Sequence, residues 1–401
     1  MTEEKIPPTP YGDCASPEYD ELDDDILDEQ AEIEDVSEPL ERYNQGLYYP
    51  ICIGEVLVGR YRIKHKLGWG GFSTVWMAYD MQYQKDVALK IMIPGEKGEY
   101  EYQMHNYIVQ NVRDVSHLVT HQGSFLLSGQ GGDYHRVLVL PLLCPSLSYR
   151  CRDLPVATRM SAAKQLLVAL ESLHDIGLVH RDLNEGALMW EMPHYNTATE
   201  YEWLGRPRKM FLGNHLWKRG ELVEQVTIPL DLVGSKVYLG DFGLVIKDGT
   251  SVRVKQQSPY PFCAPERLHG ADPSLASDMW SYMCLFAALY FGCNVFYGNG
   301  GKLTGTSWVS QLGPMPKQWK GKFWSPDWYD DWYDDHITSL DPDRDLAHRF
   351  IQLRPDTSQA ERDLALSVLH KGFSYLSEHR ITAKQLLQDP SFKALMDMYQ
   401  C

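Results

Sequence analysis

The chain has 401 residues, 44% of them hydrophobic, and a formal net charge of −16. No apolar run reaches the roughly 18 residues of a membrane-spanning helix, and Met1-Thr2-Glu3-Glu4 lacks the basic and apolar regions of a signal peptide. Eight scattered cysteines (Cys14, Cys52, Cys144, Cys151, Cys263, Cys284, Cys293 and Cys401) form no CxxC pair, and read as reduced thiols of a cytoplasmic or nuclear protein rather than as a disulfide framework or zinc site.

The charge is uneven. Residues 1–42 hold 16 acidic and 2 basic residues, whereas the remainder holds 38 acidic and 36 basic ones. Runs such as Asp20-Glu21-Leu22-Asp23-Asp24-Asp25 have too few apolar groups to offset chain entropy. An acidic disordered tail is therefore expected over 1–41. It could dock a basic partner, screen a basic groove or simply solubilise the chain.

Strand signals begin at Ile53-Gly54-Glu55-Val56-Leu57 and continue through Tyr61, Ile63 and His65 in alternation. The turn Gly68-Trp69-Gly70-Gly71 leads to Phe72–Ala78, and Asp86–Met92 reads as a short buried strand carrying one lysine, Lys90. Residues 100–112 read as a helix, and 136–143 as a strand entering a connector. Beyond it the pattern turns helical. Ala163, Leu166, Leu167, Leu170 and Leu173 share one face of a predicted helix over Thr158–Ile176, with Gly177 as its C-terminal cap. Asp278–Leu289 is apolar on nearly all sides, a buried helix. Leu364–Leu376 and Thr382–Leu387 are further helices. Residues 191–236 interrupt the order as an insertion. In the repeated Trp328-Tyr329-Asp330-Asp331-Trp332-Tyr333-Asp334-Asp335, Trp328 and Trp332 would share a packing face.

Four constellations carry chemistry. Gly68-Trp69-Gly70-Gly71-Phe72-Ser73-Thr74-Val75 fits a glycine-rich loop whose backbone N–H groups approach phosphate oxygens. In Val87-Ala88-Leu89-Lys90, a buried lysine requires an anionic partner. Glu99, Glu101 and the position of His105 are the candidates for its helix partner, and Glu101 is favoured. Leu178-Val179-His180-Arg181-Asp182-Leu183 resembles the catalytic loop of protein kinases. There the aspartate takes the substrate hydroxyl proton and an asparagine five residues on holds a second Mg²⁺. That asparagine position is Ala187, and sliding Asn184 into it would shift the following strand, Leu188-Met189-Trp190, by three residues. Asp241-Phe242-Gly243 follows 59 residues after Asp182 and precedes Ala264-Pro265-Glu266. Glu266 is expected to pair with Arg380, and Asp278 to hold the catalytic-loop backbone.

With these motifs in place the chain resembles the SR-protein kinase family, and fungal members most. The carrying residues are Gly46-Leu47-Tyr48-Tyr49-Pro50, Ile53-Gly54-Glu55, Gly59-Arg60-Tyr61 and above all Lys66-Leu67-Gly68-Trp69-Gly70-Gly71-Phe72-Ser73-Thr74-Val75-Trp76, although Gly71 stands where that family often has His. Gln311-Leu312-Gly313-Pro314-Met315-Pro316 is similar to the late insert of the wider group. The resemblance implies an α+β, bilobal protein-kinase fold over 42–395: a β-rich N-terminal lobe to about 140, a hinge at 141–146 and a helical lobe over 147–395 that carries the insertion. It implies ATP and Mg²⁺, with nucleotide contacts from Leu67, Gly68, Gly70, Gly71, Ser73, Val75, Ala88, Lys90, Pro141, Leu143 and Asp241. It makes Asp241 the metal ligand and Asp182 and Lys90 the catalytic pair. The implied partner is a basic or Arg/Ser-rich protein substrate, phosphorylated on Ser or Thr by a monomer that binds no nucleic acid or membrane. The acid-rich stretch Asp327, Asp330, Asp331, Asp334, Asp335, Asp341, Asp343 and Asp345 could attract such a substrate, or be a solvated loop.

Two departures leave activity open. Asn184 replaces the lysine expected two positions after the base, and Ala187 replaces the metal ligand. By analogy with losing one oxyanion donor, each is worth roughly 3 kcal/mol of barrier. Glu185 is a speculative substitute ligand. The two readings are an active Ser/Thr kinase of reduced power and a pseudokinase scaffold. Ala264-Pro265-Glu266, Asp278 and Arg380 argue against a small-molecule phosphotransferase.

Overall fold

The computed structural model describes residues 33, 36–144, 148–192, 204–257, 259–323, 330–334 and 345–401. The chain divides into two compact units, one formed by Met1–Val109, Val119–Pro145 and Trp190–Gly234, the other by Gln110–Leu118, Ser146–Met189 and Ser235–Cys401.

The first unit is built on an antiparallel sheet of six strands: β1 (Val56–Leu57), β2 (Tyr61–Gly70), β3 (Ser73–Asp80), β4 (Lys85–Met92), β5 (Gly123–Ser128) and β6 (Tyr134–Pro141), in the order β1-β2-β3-β4-β6-β5. The β3–β4 turn is set by Asp80. Its carboxylate accepts the N–H groups of Gln82 and Tyr83 at 3.0 and 3.3 Å and pairs with Arg60 at 2.7 Å, the local bonding that favours Asp at turns. Register then sorts the side chains. Trp76, Leu89 and Val139 lie opposite one another across three strands, as do Val75, Lys90 and Leu138 in the next row and Met77, Ala88 and Leu140 in the one on its far side. Neighbouring rows face opposite sides of a sheet. The Trp76 side joins Tyr49, Ile51, Ile63, Val87 and Ile91 in one apolar core. Burying each such side chain contributes about 1.5–3 kcal/mol. Lys90 and Ala88 point the other way. A helix, α2 (Glu96–Asn111), links β4 to β5 and begins four residues before the sequence pattern suggests.

Two segments outside this sheet cover its apolar face. The first is the N-terminal segment, whose helix α1 spans Glu41–Asn44. The second is the insertion, whose strands β9 (Lys209–Phe211) and β10 (Glu221–Val223) form a hairpin. They share a core of Ile33, Tyr43, Tyr48, Leu212 and Leu222. Glu221 fixes the junction: its N–H donates to Ile51 O at 2.7 Å, and its carboxylate accepts Ile53 N–H at 2.8 Å and Lys209 Nζ at 2.7 Å. The insertion thus belongs to the sheet unit, not to the helical lobe assigned from its place in the sequence. The tail boundary at 41 also needs correction. Ile33 and Ser37 are buried, and Glu38, 1% exposed, forms an ion pair with fully buried Lys66 and accepts from Tyr43 Oη. A lysine buried in β2 needs a counter-charge, and Glu38 supplies it. Residues 1–32 lie outside the described residues.

The second unit is helical: α3 (Val156–His174), α4 (Pro265–Leu268), α5 (Leu275–Phe291), α6 (Gly301–Leu312), α7 (Leu346–Leu353), α8 (Gln359–Gly372), α9 (Ala383–Gln388) and α10 (Pro390–Met398). Every residue of α5 from Ser277 to Phe291 is buried, as its all-round apolar sequence requires. Ser274 and Ser277 form a reciprocal capping box at its start, and Gly292 (φ +77°) ends it in the left-handed conformation. Helix α8 starts earlier than its apolar pattern because Ser358 caps it, accepting Glu361 N–H at 3.2 Å. Gly177 (φ +71°) lies beyond the end of α3 and turns the chain into β7 (Leu178–Val179). Trp332 is buried in a short 3₁₀ turn, Asp330–Tyr333. Trp328, Asp327, Asp335, Asp341 and Asp343 lie outside the described residues.

Candidate active site

On the sheet unit, β4 presents Lys90 and α2 presents Glu101, and the two meet at 2.7 Å with Glu101 only 1% exposed. The other candidates are placed elsewhere. Glu99 pairs with Arg136 at 2.7 Å, and His105 is buried one turn beyond Glu101, its Nε2 at 3.7 Å from the same carboxylate oxygen. Lys90 stands in the row with Val75, and Gly68 pairs with Val75 in turn. Leu67, Ser73 and Ala88 are buried nearby in the same strands. The β2–β3 turn closes at Gly70 opposite Ser73. Neither Gly70 nor Gly71 has a positive φ, and a Cβ built on either meets nothing within 4 Å. Neither backbone conformation nor protein packing requires glycine there, and the space beside both is open.

Pro141 ends β6, paired with Val87, and Leu140 lies opposite Ala88. Leu143 is buried, and Cys144 exchanges two backbone hydrogen bonds with Trp190 at 2.8 and 3.3 Å. The connector is thereby fixed just before Pro145 and Ser146, which lie outside the described residues.

On the helical unit, α5 holds the catalytic-loop backbone. The Asp278 carboxylate accepts His180 N–H at 2.6 Å and Arg181 N–H at 2.9 Å. Arg181 has φ +72°, a conformation costing about 1–3 kcal/mol for a non-glycine residue, and these bonds hold it. His180 in turn lays its ring against Phe242, centroids 5.9 Å apart, and bonds Gly240 O at 2.9 Å. Asp241 follows with φ +64°, also left-handed. Strands β8 (Leu188–Trp190) and β11 (Val237–Leu239) pair, and Gly240 N–H donates to Ala187 O at 3.0 Å. Asp182, Ala187 and Asp241 are thus brought together by backbone pairing.

Burial holds the Asp182 carboxyl above its ordinary range, and the negative charge of Asp241 adds to this. His180, the Asn184 hydrogen bond and Arg181 pull the other way. Sequence reasoning missed this role of Asn184. Its amide donates to Asp182 Oδ1 at 2.9 Å, while its carbonyl accepts Gly186 N–H at 2.7 Å and caps the turn that follows. Glu185 hydrogen-bonds Asn294, and burial raises its pKa. Arg380 and Glu266 form the expected bidentate pair, at 2.7 and 2.9 Å.

Among the described residues no group of three or more His, Cys, Asp or Glu forms a metal cage. Asp182 and Asp241, whose charges act on each other, are carboxylate donors of the kind Mg²⁺ takes one or two at a time together with substrate phosphates. Among the described residues no helix is long and apolar enough to cross a membrane.

A β-sheet unit with a lysine–glutamate pair and a helical unit with an Asp182 loop, an Asp241 turn and a Glu266–Arg380 pair define a protein kinase, with the α+β bilobal fold of that class. The protein kinase domain profile matches residues 61–392, and the chain belongs to that family. A serine/threonine protein kinase of Aspergillus fumigatus is 28% identical over 288 residues, 69% of this chain and 68% of its own. Protein kinase dsk1 of Schizosaccharomyces pombe is 36% identical over 160 residues, 36% of this chain and 29% of its own. SRSF protein kinase 3 of Homo sapiens is 33% identical over 186 residues, 41% of this chain and 32% of its own. These relatives bear out the SR-protein-kinase resemblance carried by the motifs.

Proposed function

We propose that the protein transfers the γ-phosphate of Mg–ATP to serine or threonine in basic, Arg/Ser-rich proteins of the cytoplasm or nucleus, more slowly than kinases with the full catalytic loop. The Lys90–Glu101 ion pair, formed at 2.7 Å with both partners largely buried, carries the reading. The pair supports phosphate binding, and the retained Asp182 carboxylate, bonded by the Asn184 amide at 2.9 Å, supports transfer over binding alone. In this reading Lys90 orients the α- and β-phosphates. The glycine loop would supply backbone N–H groups, the 141–143 connector would receive the adenine, and Asp241 would hold the metal. Mg–ATP supplies the phosphoryl group and the charge that neutralises it. Asp182 accepts the substrate hydroxyl proton. Its raised pKa brings it closer to working pH, where a general base is most effective. Asn184 keeps that carboxylate aimed.

A second reading, a nucleotide-binding scaffold, is favoured by Ala187, whose methyl offers no ligand. Radiolabelled ATP with an Arg/Ser peptide, in Mg²⁺ and in Mn²⁺, separates the two. Incorporation by the wild type that Asp182→Asn abolishes supports the kinase. Equal background from both proteins supports the scaffold, and a nucleotide-induced rise in melting temperature then shows whether ATP binds.

A further inference from the structure

The glycine-rich turn is held by residues that precede the sheet in sequence. Tyr48 Oη donates to Gly70 O at 2.7 Å. Arg42 Nη1 donates to Gly71 O at 2.5 Å and to Tyr48 Oη at 3.1 Å. The next carbonyl, Phe72 O, accepts Ile93 N–H at 2.9 Å. Three successive carbonyls are therefore tethered. In a trans peptide the N–H lies antiparallel to the C=O in the same plane, so orienting the Gly70 and Gly71 carbonyls orients the N–H groups of Gly71 and Phe72 away from the tethers, while Ser73 pairs back with Gly70 across the hairpin. An untethered glycine turn would have to be ordered by its ligand, at about 1–2 kcal/mol per residue.

The clamp is itself anchored. Tyr48 is 1% exposed and packs edge-on against Tyr43, centroids 5.6 Å apart. The Arg42 carbonyl accepts the N–H groups of Leu47 and Tyr48, which folds the two donors toward each other. The insertion supports the stem of the turn from its own side. Val226 N–H donates to Lys66 O at 2.9 Å, and the Gln225 amide lies 3.6 Å from where a Cβ on Gly68 would stand.

We propose that Arg42 and Tyr48 are positioning residues for nucleotide binding, which preset the phosphate-facing N–H groups of the glycine loop; this rests on the kinase reading above. The expected signature is an affinity effect. Tyr48→Phe deletes one hydrogen-bonding oxygen and is expected to weaken the Kd for Mg–ATP about five- to tenfold, the worth of one hydrogen bond, with KM for ATP rising in step and kcat within about twofold. Arg42→Ala is expected to do at least as much, and Arg42→Lys to restore part of it.

The test is hydrogen exchange of the full chain over peptides spanning 66–76, with Leu275–Phe291 as control, alongside calorimetric titration of Mg–ATP. Faster loop exchange with weakened Kd supports the proposal. Unchanged loop exchange in both Tyr48→Phe and Arg42→Ala overturns the clamp. Faster exchange with unchanged Kd overturns the positioning role and leaves a structural tether. Faster exchange in a protein whose wild type binds no Mg–ATP overturns the nucleotide reading itself, a different failure from the first two. Should Arg42→Ala also loosen Leu275–Phe291, Tyr48→Phe alone decides.

Discussion

Replacing Glu38 with alanine is expected to unfold the sheet unit at much lower stress. Lys66 is fully buried and its counter-charge is Glu38, equally buried. Removing one partner of such a pair strands a charge away from water and costs about 3–5 kcal/mol. The loss is compounded because Tyr43, also fully buried, loses its acceptor. For a folding unit of about 150–250 residues, each kcal/mol is worth about 2–4 °C in melting temperature, so a fall of about 6–20 °C is expected. Glu38→Leu combined with Lys66→Met removes both charges and is expected to restore most of the loss. Burial depresses the Lys66 pKa, and Glu38 opposes that. With a folded pKa below the unfolded one, the unfolded chain binds more protons between the two values, so stability rises with pH across that window. Glu38→Ala removes the opposing charge and is expected to widen the window toward lower pH. Denaturant titrations of the three variants at several pH values measure all of this. A loss below about 1 kcal/mol for Glu38→Ala, or a deletion of residues 1–41 no more damaging than one of 1–32, refutes the reasoning.

Glu101→Gln removes the charge that pairs Lys90. A charge-assisted hydrogen bond of about 1.5–3 kcal/mol predicts a roughly 10- to 150-fold loss in kcat/KM, read by peptide phosphorylation. Asn184→Ala removes a donor that stabilises the ionised Asp182, so the Asp182 pKa rises further above its ordinary range. The acid limb of the kcat/KM profile is expected to move to higher pH, and an unmoved limb would show that another group governs it. Ala187→Asn returns an amide carbonyl to the metal-ligand position and is expected to lower the Mg²⁺ concentration needed for half-maximal rate, although the site is 2% exposed and overpacking costs about 1–3 kcal/mol in melting experiments. Glu185→Gln is expected to leave the Mg²⁺ dependence unchanged, because that side chain is engaged with Asn294.

The residues legible in the sequence are those whose chemistry ties them to a short motif. Lys90, Asp182, Asp241, Glu266 and Asp278 each lie within a few residues of neighbours that identify them, and Arg380 was found through its pairing with Glu266. Glu101 was harder. It and His105 occupy adjacent turns of one buried face, and periodicity cannot say which reaches across to β4. What escaped were contacts between segments distant in the chain. Glu38 was one acid among 16 in a stretch whose composition reads as disorder, and its partner lies 28 residues away. Glu221 bonds Ile53 across 168 residues. The insertion was visible as an interruption, but no local pattern reveals that its hairpin completes the core of a sheet whose first four strands lie more than a hundred residues earlier.

The two departures from the kinase pattern and the extra support around the sheet act on different quantities. On the helical unit, loop geometry is fully determined: Asp278 fixes the strained Arg181, His180 braces Phe242 and Asn184 aims Asp182. What is missing there is charge, a lysine at 184 and a ligand at 187, and these matter most where negative charge develops in the transition state. On the sheet unit Lys90 has its glutamate, and the glycine turn has tethers from Arg42 and Tyr48. Interactions made equally in ground and transition states lower KM without raising kcat. If the proposed activity holds, the deficit therefore belongs in kcat, while nucleotide affinity is that of an ordinary kinase. A weak KM for ATP combined with an ordinary kcat would reverse that assignment and place the weakness in the glycine turn instead.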